Sequence, residues 1–347
     1  MTPQYKTIAD EIAQNIATHK YMNTLPPLRE LSKLFNVSLH TIQLALGELS
    51  KRALIVSDST RCVRIIQHPS SKIIGVFCNF RKGNSNDAVV LALRRLIEAD
   101  GYEAIFVDVP EKVCNEVDGA FWRYGWADGY ISLYGTSDTN IDIGLQSFGL
   151  PVVTANHAEH KAALSCVDFD HSLLLHELAE GLYERGYRRI ALSMTICSHK
   201  ISDEVNEAFA AFRERHGLPL IGSWITRSHE SDIQISREAR IAQHFEQMLG
   251  GEDKPEAIIC FHRGLKFAAA LASQYNLELG KDLVLVGTGR NDTPAKGIMP
   301  VEFSYQALAA KLWQVLKKHI LNKKAQMEII RIPPPTLDWT DIPIREG

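Results

Sequence analysis

Residues 25–56 read LPPLRELSKLFNVSLHTIQLALGELSKRALIV, and this stretch decides the fold of the first part of the chain. Pro27 suits the first turn of a helix, where its missing N–H has no partner to lose. Leu28, Leu31, Leu34 and Phe35 then recur at three-to-four spacing and predict one buried face. Asn36 ends that helix, Val37 points inward, and Ser38 is a good N-cap for a second helix. On the second helix Ile42, Ala45, Leu46 and Leu49 make the apolar stripe, which leaves His40, Thr41 and Gln43 outward near its start. A helix that buries one face and offers small polar side chains from its first turns fits the major groove of duplex DNA. The pattern predicts a helix-turn-helix followed by a strand, with double-stranded DNA as a partner.

Outside this stretch the composition is that of an ordinary globular protein. The 347 residues are 45% hydrophobic and 23% charged, which suits two or three compact units. The net charge of −3 divides unevenly: residues 1–70 hold eight Lys/Arg and five Asp/Glu, the remainder 30 against 36. A mildly basic head on an acidic body permits phosphate contact without demanding it. Six cysteines, at 62, 78, 114, 166, 197 and 260, stand singly, so the sequence implies neither a disulfide framework nor a zinc knuckle, and a reducing compartment fits. No apolar signal-peptide core and no run of membrane-span length is present, so the expected location is the cytoplasm, with no membrane partner.

LPPLREL, NVSLHTIQLALGEL and ALIV resemble the winged helix-turn-helix of GntR-type repressors, over roughly residues 3–67. The resemblance includes an opening helix with Tyr5, Ile8, Ile12 and Ile16 on one face. It implies DNA contacts from Arg29, Ser38, His40 and Thr41, with Arg29 on a phosphate; Leu39 and Gln43, on the same helix, are expected to contact DNA as well. Leu39, Gln43 and Leu44 stand where the family usually places arginine, so an unusual base code is expected. Ser59, Thr60 and Cys62 replace the usual glycines of the wing, leaving Arg61 and Arg64 as its phosphate contacts.

Gln67-His68-Pro69-Ser70-Ser71-Lys72 is a polar break. It places a DNA-binding domain at 1–67, a linker at 68–72 and a larger domain at 73–347. From Ile73 onward apolar strand-length runs alternate with amphipathic helices, which implies some nine strands in parallel sheets covered on both faces. The order is similar to the two-lobed, periplasmic-binding-protein-like sensor of LacI/GalR-type repressors. IIGVFCN resembles its opening strand, and HELAEGLYERGYRRIALSM its helix, Gly-His-Arg-Arg-Ile and strand. PEAIICFHRGLKFAAALASQYNLELGKDLVLVGTGRND and MPVEFSYQALAAKLWQVLKKHI resemble the later segments. The resemblance implies an α/β fold of two lobes, one from about 72–160 with 290–322, the other from about 161–289 with the C-terminal tail. A ligand would lie in the cleft.

Parallel sheets of this kind bind ligands beyond the carboxyl ends of their strands. Those ends are expected to hold Asn79, the 81–86 loop with Asn86, Tyr134, Asn156, Asp168, Asp203, His262, Arg263 and Arg290. Asp, Asn and Arg with an aromatic face suit a sugar. His262-Arg263 replace the family's Asn-Asp, Thr288-Gly289-Arg290 replace its aromatic-Asp-Asp, and Val205 stands near where an arginine often clamps the ligand. Gaining bases and losing acids points to an anionic effector such as a sugar phosphate; the alternative is that Arg263 and Arg290 are solvated or salt-bridged. Catalytic patterns are weak. His176-Glu177 with Glu180 lacks the second zinc histidine at i+4, His157 and His160 lie in a turn, and GTGRND lacks the third glycine of a dinucleotide loop. The Trp122/Trp126 pair reads as packing. No cofactor, metal or catalytic residue is expected.

These readings converge on a DNA-binding transcriptional regulator, expected to repress as a homodimer under a small-molecule effector. Two alternatives stay open: a dimeric regulator without effector, and a carbohydrate-processing α/β enzyme, which would require an acid-base pair at the strand ends.

Overall fold

The computed structural model describes residues 3–17, 20–21, 25–52, 54–57, 63–65, 71–78, 86–108, 127–133, 150–155, 164–194, 199–219, 221, 225–227, 237–261, 264–289, 295–322 and 325–345. The chain forms two compact units, one mainly from Met1–Asn156, His160–Val167 and Ala309–Ile330, the other from Asp168–Leu308 and Arg331–Gly347.

The first unit opens with α1 (Gln4–Ala17), α2 (Leu28–Leu34) and α3 (Leu39–Lys51), then an antiparallel hairpin of β1 (Ile55–Ser57) and β2 (Val63–Ile65). Ile8 and Ile12 of α1, Leu31 of α2, Ile42, Leu46 and Leu49 of α3 and Ile55 and Ile65 of the hairpin share one core. Between α2 and α3 the chain reverses at Asn36, whose φ of 50° is left-handed, a conformation asparagine tolerates better than most residues. Arg52, at the end of α3, is buried and bridges Asp10 of α1 and Glu48. Leu34, expected in the buried stripe, is 57% exposed. At about 100° per residue, Leu28 and Phe35 fall on one flank of Leu31 and Leu34 on the other.

The same unit contains a parallel sheet of β3 (Ile73–Cys78), β4 (Glu103–Asp108), β5 (Gly129–Ser132), β6 (Val152–Ala155) and β7 (Ser165–Phe169), with α4 (Asn86–Ala99) between β3 and β4. The spatial order is β4-β3-β5-β6-β7, with β13 (Ile329–Ile332) added beyond β7. β13 runs the same way as β7, since the N–H groups of Cys166 and Asp170 donate to the carbonyls of Glu328 and Ile332 at 2.8 Å. Ser71 and Lys72, the last two residues of the expected linker, are tied to the Asp128 carboxylate by their backbone N–H groups.

The second unit runs α5 (His171–Glu184), β8 (Ile190–Met194), α6 (His199–His216), β9 (Ile225–Arg227), α7 (Arg237–Leu249), β10 (Ala257–Phe261), α8 (Gly264–Gln274), β11 (Val284–Thr288) and β12 (Ile298–Val301); α9 (Tyr305–Leu321) then leads back to the first unit. Its parallel sheet is ordered β9-β8-β10-β11-β12. Ile258 and Cys260 join the core under α7 and α8, while Ala257, Ile259 and Phe261 on the opposite face are equally buried. Both faces are covered, as continuous apolar strands require. The C-terminal tail closes on this unit: Trp339 lies against Gly181, where a Cβ would come within 2.1 Å of the ring.

The α/β architecture with parallel sheets is as expected, but β12 and β13 are not among the expected strands, and β7 is expected only through Asp168 at its end. β7 reads SCVDF, and β12 contains Pro300, which a strand tolerates at a sheet edge, where β12 lies. The lobe division differs accordingly. Residues 164–167 stay with the first sheet, and 295–308 belong to the second unit because β12 pairs with β11.

Candidate nucleic-acid face and ligand-binding strand ends

α3 begins where Ser38 stops the preceding turn. The Ser38 Oγ accepts from the Thr41 backbone N–H at 3.1 Å and lies 2.9 Å from the Thr41 hydroxyl. This satisfies one of the free N–H groups of the first turn. It also occupies the Thr41 hydroxyl, and Thr41 is half-buried. Leu39, His40, Gln43 and Leu44 point outward from the first two turns of α3, and Arg29 is exposed in the first turn of α2. Arg64 lies in β2 opposite Val56. Arg61 and the wing tip lie outside the described residues. Of the expected DNA residues, the structure thus brings Arg29, Ser38, Leu39, His40, Thr41 and Gln43 onto α2, α3 and the turn between them.

Each sheet has its first strand between its second and third, so the strand order reverses between β3 and β5 in one unit and between β8 and β10 in the other. Ligands of open α/β sheets bind outside the carboxyl ends at such a reversal. In sequence, Asn79 follows β3 directly, Tyr134 follows β5 after one residue, and His262-Arg263 follow β10. These four, with Asn156 and Arg290, lie outside the described residues, as do His157, His160 and the Trp122/Trp126 pair. Asn86 is the first residue of α4 and Asp203 is exposed on α6. Val205 is buried.

Asp168 lies at the carboxyl end of β7, as expected, and already has protein partners there. It is fully buried within β7 and accepts from the Phe169 N–H at 2.7 Å and from Arg331 Nη1 at 3.3 Å. Arg331 Nη2 donates in turn to both carboxylate oxygens of Glu204 at 3.2 Å. The sequence reading missed Arg331 and Glu204 because neither belongs to a motif. It also missed two buried polar groups at the carboxyl end of β8 and on α6. Ser193 Oγ and Asn206 Oδ1 have no hydrogen-bond partner among the described residues, while Asn206 Nδ2 donates to the Ser202 carbonyl at 2.7 Å. A buried polar atom left open costs stability unless something fills it.

The remaining motifs resolve into packing. Glu180 is held by His216 and Arg215, each at 2.9 Å, with His176 at 3.9 Å. Gly287 of the GTG run is glycine because a Cβ would sit 1.9 Å from the Cys260 carbonyl oxygen, and β12 follows the run instead of a helix. Burial, with Asp108 nearby, pushes the Cys78 thiol up to about 12, and burial also raises Cys260, so neither is a ready nucleophile.

Residues 4–65 match the model of the gntR family of bacterial regulatory proteins. The N-terminal domain is therefore a GntR-family helix-turn-helix. An arabinose metabolism transcriptional repressor of Geobacillus stearothermophilus is 20% identical over 304 residues, covering 82% of this chain and 81% of that protein. Among solved structures, a LacI-family regulatory protein from Chloroflexus aggregans superposes with a TM-score of 0.65 at 18% identity, covering 77% of this chain and 96% of that one. A cellobiose complex of the transcriptional regulator CelR gives a TM-score of 0.66 at 13% identity, covering 90% of this chain and 98% of that one. The α/β part has the fold of LacI-type regulators, and these similar proteins are regulators of transcription, not enzymes.

Proposed function

We propose that this chain is a cytoplasmic transcriptional repressor that binds operator DNA as a homodimer and answers to a small-molecule effector, a sugar or sugar derivative. The observation that carries the reading is the combination in one chain of a GntR-family helix-turn-helix, its outward helix face intact, with two parallel sheets that both reverse strand order. The arabinose repressor and the cellobiose complex support the sugar class. Asn79, Asn86, Tyr134, Asn156, Asp203, His262, Arg263 and Arg290 are the proposed ligand contacts. Asp168 is proposed to act there by holding Arg331. An effector that favours one arrangement of the sensor would alter the separation of two recognition helices, which must match half-sites roughly 34–36 Å apart.

One screen tests this. The full chain is heated with a panel of sugars, sugar phosphates and nucleosides, and hits are added to a complex with DNA selected from a random pool. A ligand at 100 times its Kd adds about 2.7 kcal/mol of stability, a clear rise in melting temperature. The expected hit is a sugar that also shifts DNA affinity. The burial of Val205 and the Asp168–Arg331 pair favour a second reading, a regulator whose sensor binds nothing and only dimerises. No thermal shift across the panel together with intact DNA binding would select it.

A further inference from the structure

The outward face of α3 carries almost no charge. At about 100° per residue, Leu39, Gln43 and Gly47 form one ridge and His40 and Leu44 the next. Lys51, the last residue, is the only Lys or Arg of the helix. Leu39 is 46% exposed and Leu44 45%. The core does not use them, since the stripe of Ile42, Ala45, Leu46 and Leu49 lies on the opposite side. Gly47 stands near the middle of the outward face. A Cβ there would meet nothing within 4 Å, and its backbone is not in the left-handed region. Glycine inside a helix is less stable than alanine, and nothing among the described residues asks for it.

In the major groove the apolar group on offer is the C5-methyl of thymine, and the carboxamide of glutamine matches N6 and N7 of adenine. Guanine is read chiefly by Arg or Lys, and neither occurs in the first twelve residues of this helix. We infer that α3 reads A·T base pairs, with Gln43 on an adenine, Leu39 and Leu44 against thymine methyls, and the helix seated close to the groove floor at Gly47. The inference rests on the DNA-binding reading of this domain and names the bases it selects.

The test uses the full chain to select from a randomised duplex pool, then replaces each thymine of the winning duplex, one at a time, by deoxyuridine, which removes only the methyl. Half-sites built on A·T pairs are expected, with about fourfold weaker binding at two or more thymines, the value of one buried methyl. Leu39→Ala should erase the penalty at one thymine and Leu44→Ala at another, with melting temperatures unchanged. Gly47→Ala should melt higher yet bind the selected duplex more weakly; unchanged affinity would remove the close seating. A requirement for G·C pairs, or tolerance of deoxyuridine throughout, overturns the assignment while DNA binding stands. If the leucine variants change self-association and not base preference, a protein occupies this face. A pool that yields no enriched sequence overturns both readings.

Discussion

Arg29 is exposed in the first turn of α2, one helix before the face proposed to meet the bases, and its guanidinium is suited to a phosphate. Each phosphate contact releases condensed counterions, so Arg29→Ala is expected to weaken binding to selected and random duplex by a similar factor. It should also lower the slope of log affinity against log salt by about one unit. A titration at several salt concentrations checks this, and a loss confined to the selected sequence would sink the phosphate role. At this scale local patterns were legible. Ser38 read as a cap and Gln43 as outward because both depend on neighbours within a turn. The pairing of Asp168 with Arg331 was not legible, because the two lie 163 residues apart and nothing in either neighbourhood announces the pair.

Elements were legible where apolar periodicity was strong, as in β3, β10 and α5, and illegible where a strand is short and mixed. β7 and β13 are such strands, and what fixes them is each other and the end of α9. His319, near the end of α9, lies 2.7 Å from the Ser165 hydroxyl of β7, which in turn accepts from the Glu328 N–H beside β13. Burial holds the His319 pKa below its ordinary value of 6.5, against the opposing pull of Glu328, with Lys318 adding to the lowering. The unfolded chain therefore takes up this proton first as pH falls. The contribution is present above about pH 6.5 and is lost on acidification through the folded pKa. Urea midpoints should fall between about pH 7.5 and 5, and His319→Gln should flatten that part of the profile. An identical pH dependence in the variant would show that other groups set it.

Across the whole molecule, the alternation of strands and helices announced parallel sheets, but the places where the chain changes unit were shifted. Two of those places are Val167/Asp168 and Ile330/Arg331. Within the second unit the first residues after each, Asp168 and Arg331, pair with one another, and Arg331 reaches on to Glu204. Asp168 is fully buried and Arg331 keeps 27% of its side chain exposed. Removing the guanidinium takes away the arginine partner of a fully buried carboxylate, which keeps the Phe169 N–H at 2.7 Å and His171 Nε2 at 4.0 Å, so Arg331→Met should cost about 3 kcal/mol in urea denaturation, the lower end for breaking a buried pair. Replacing both members, Asp168→Leu with Arg331→Met, removes the stranded charge as well and should recover most of that loss, since a buried pair is worth little against apolar residues of similar size. DNA binding under native conditions should be unaffected in both, because the helix-turn-helix has its own core. A single-variant cost below about 1 kcal/mol, the range of exposed pairs, would mean that Asp168 is held by its other contacts. A double variant no better than the single would mean that the site needs polar groups for something besides pairing, and that would return Asp168 to the ligand.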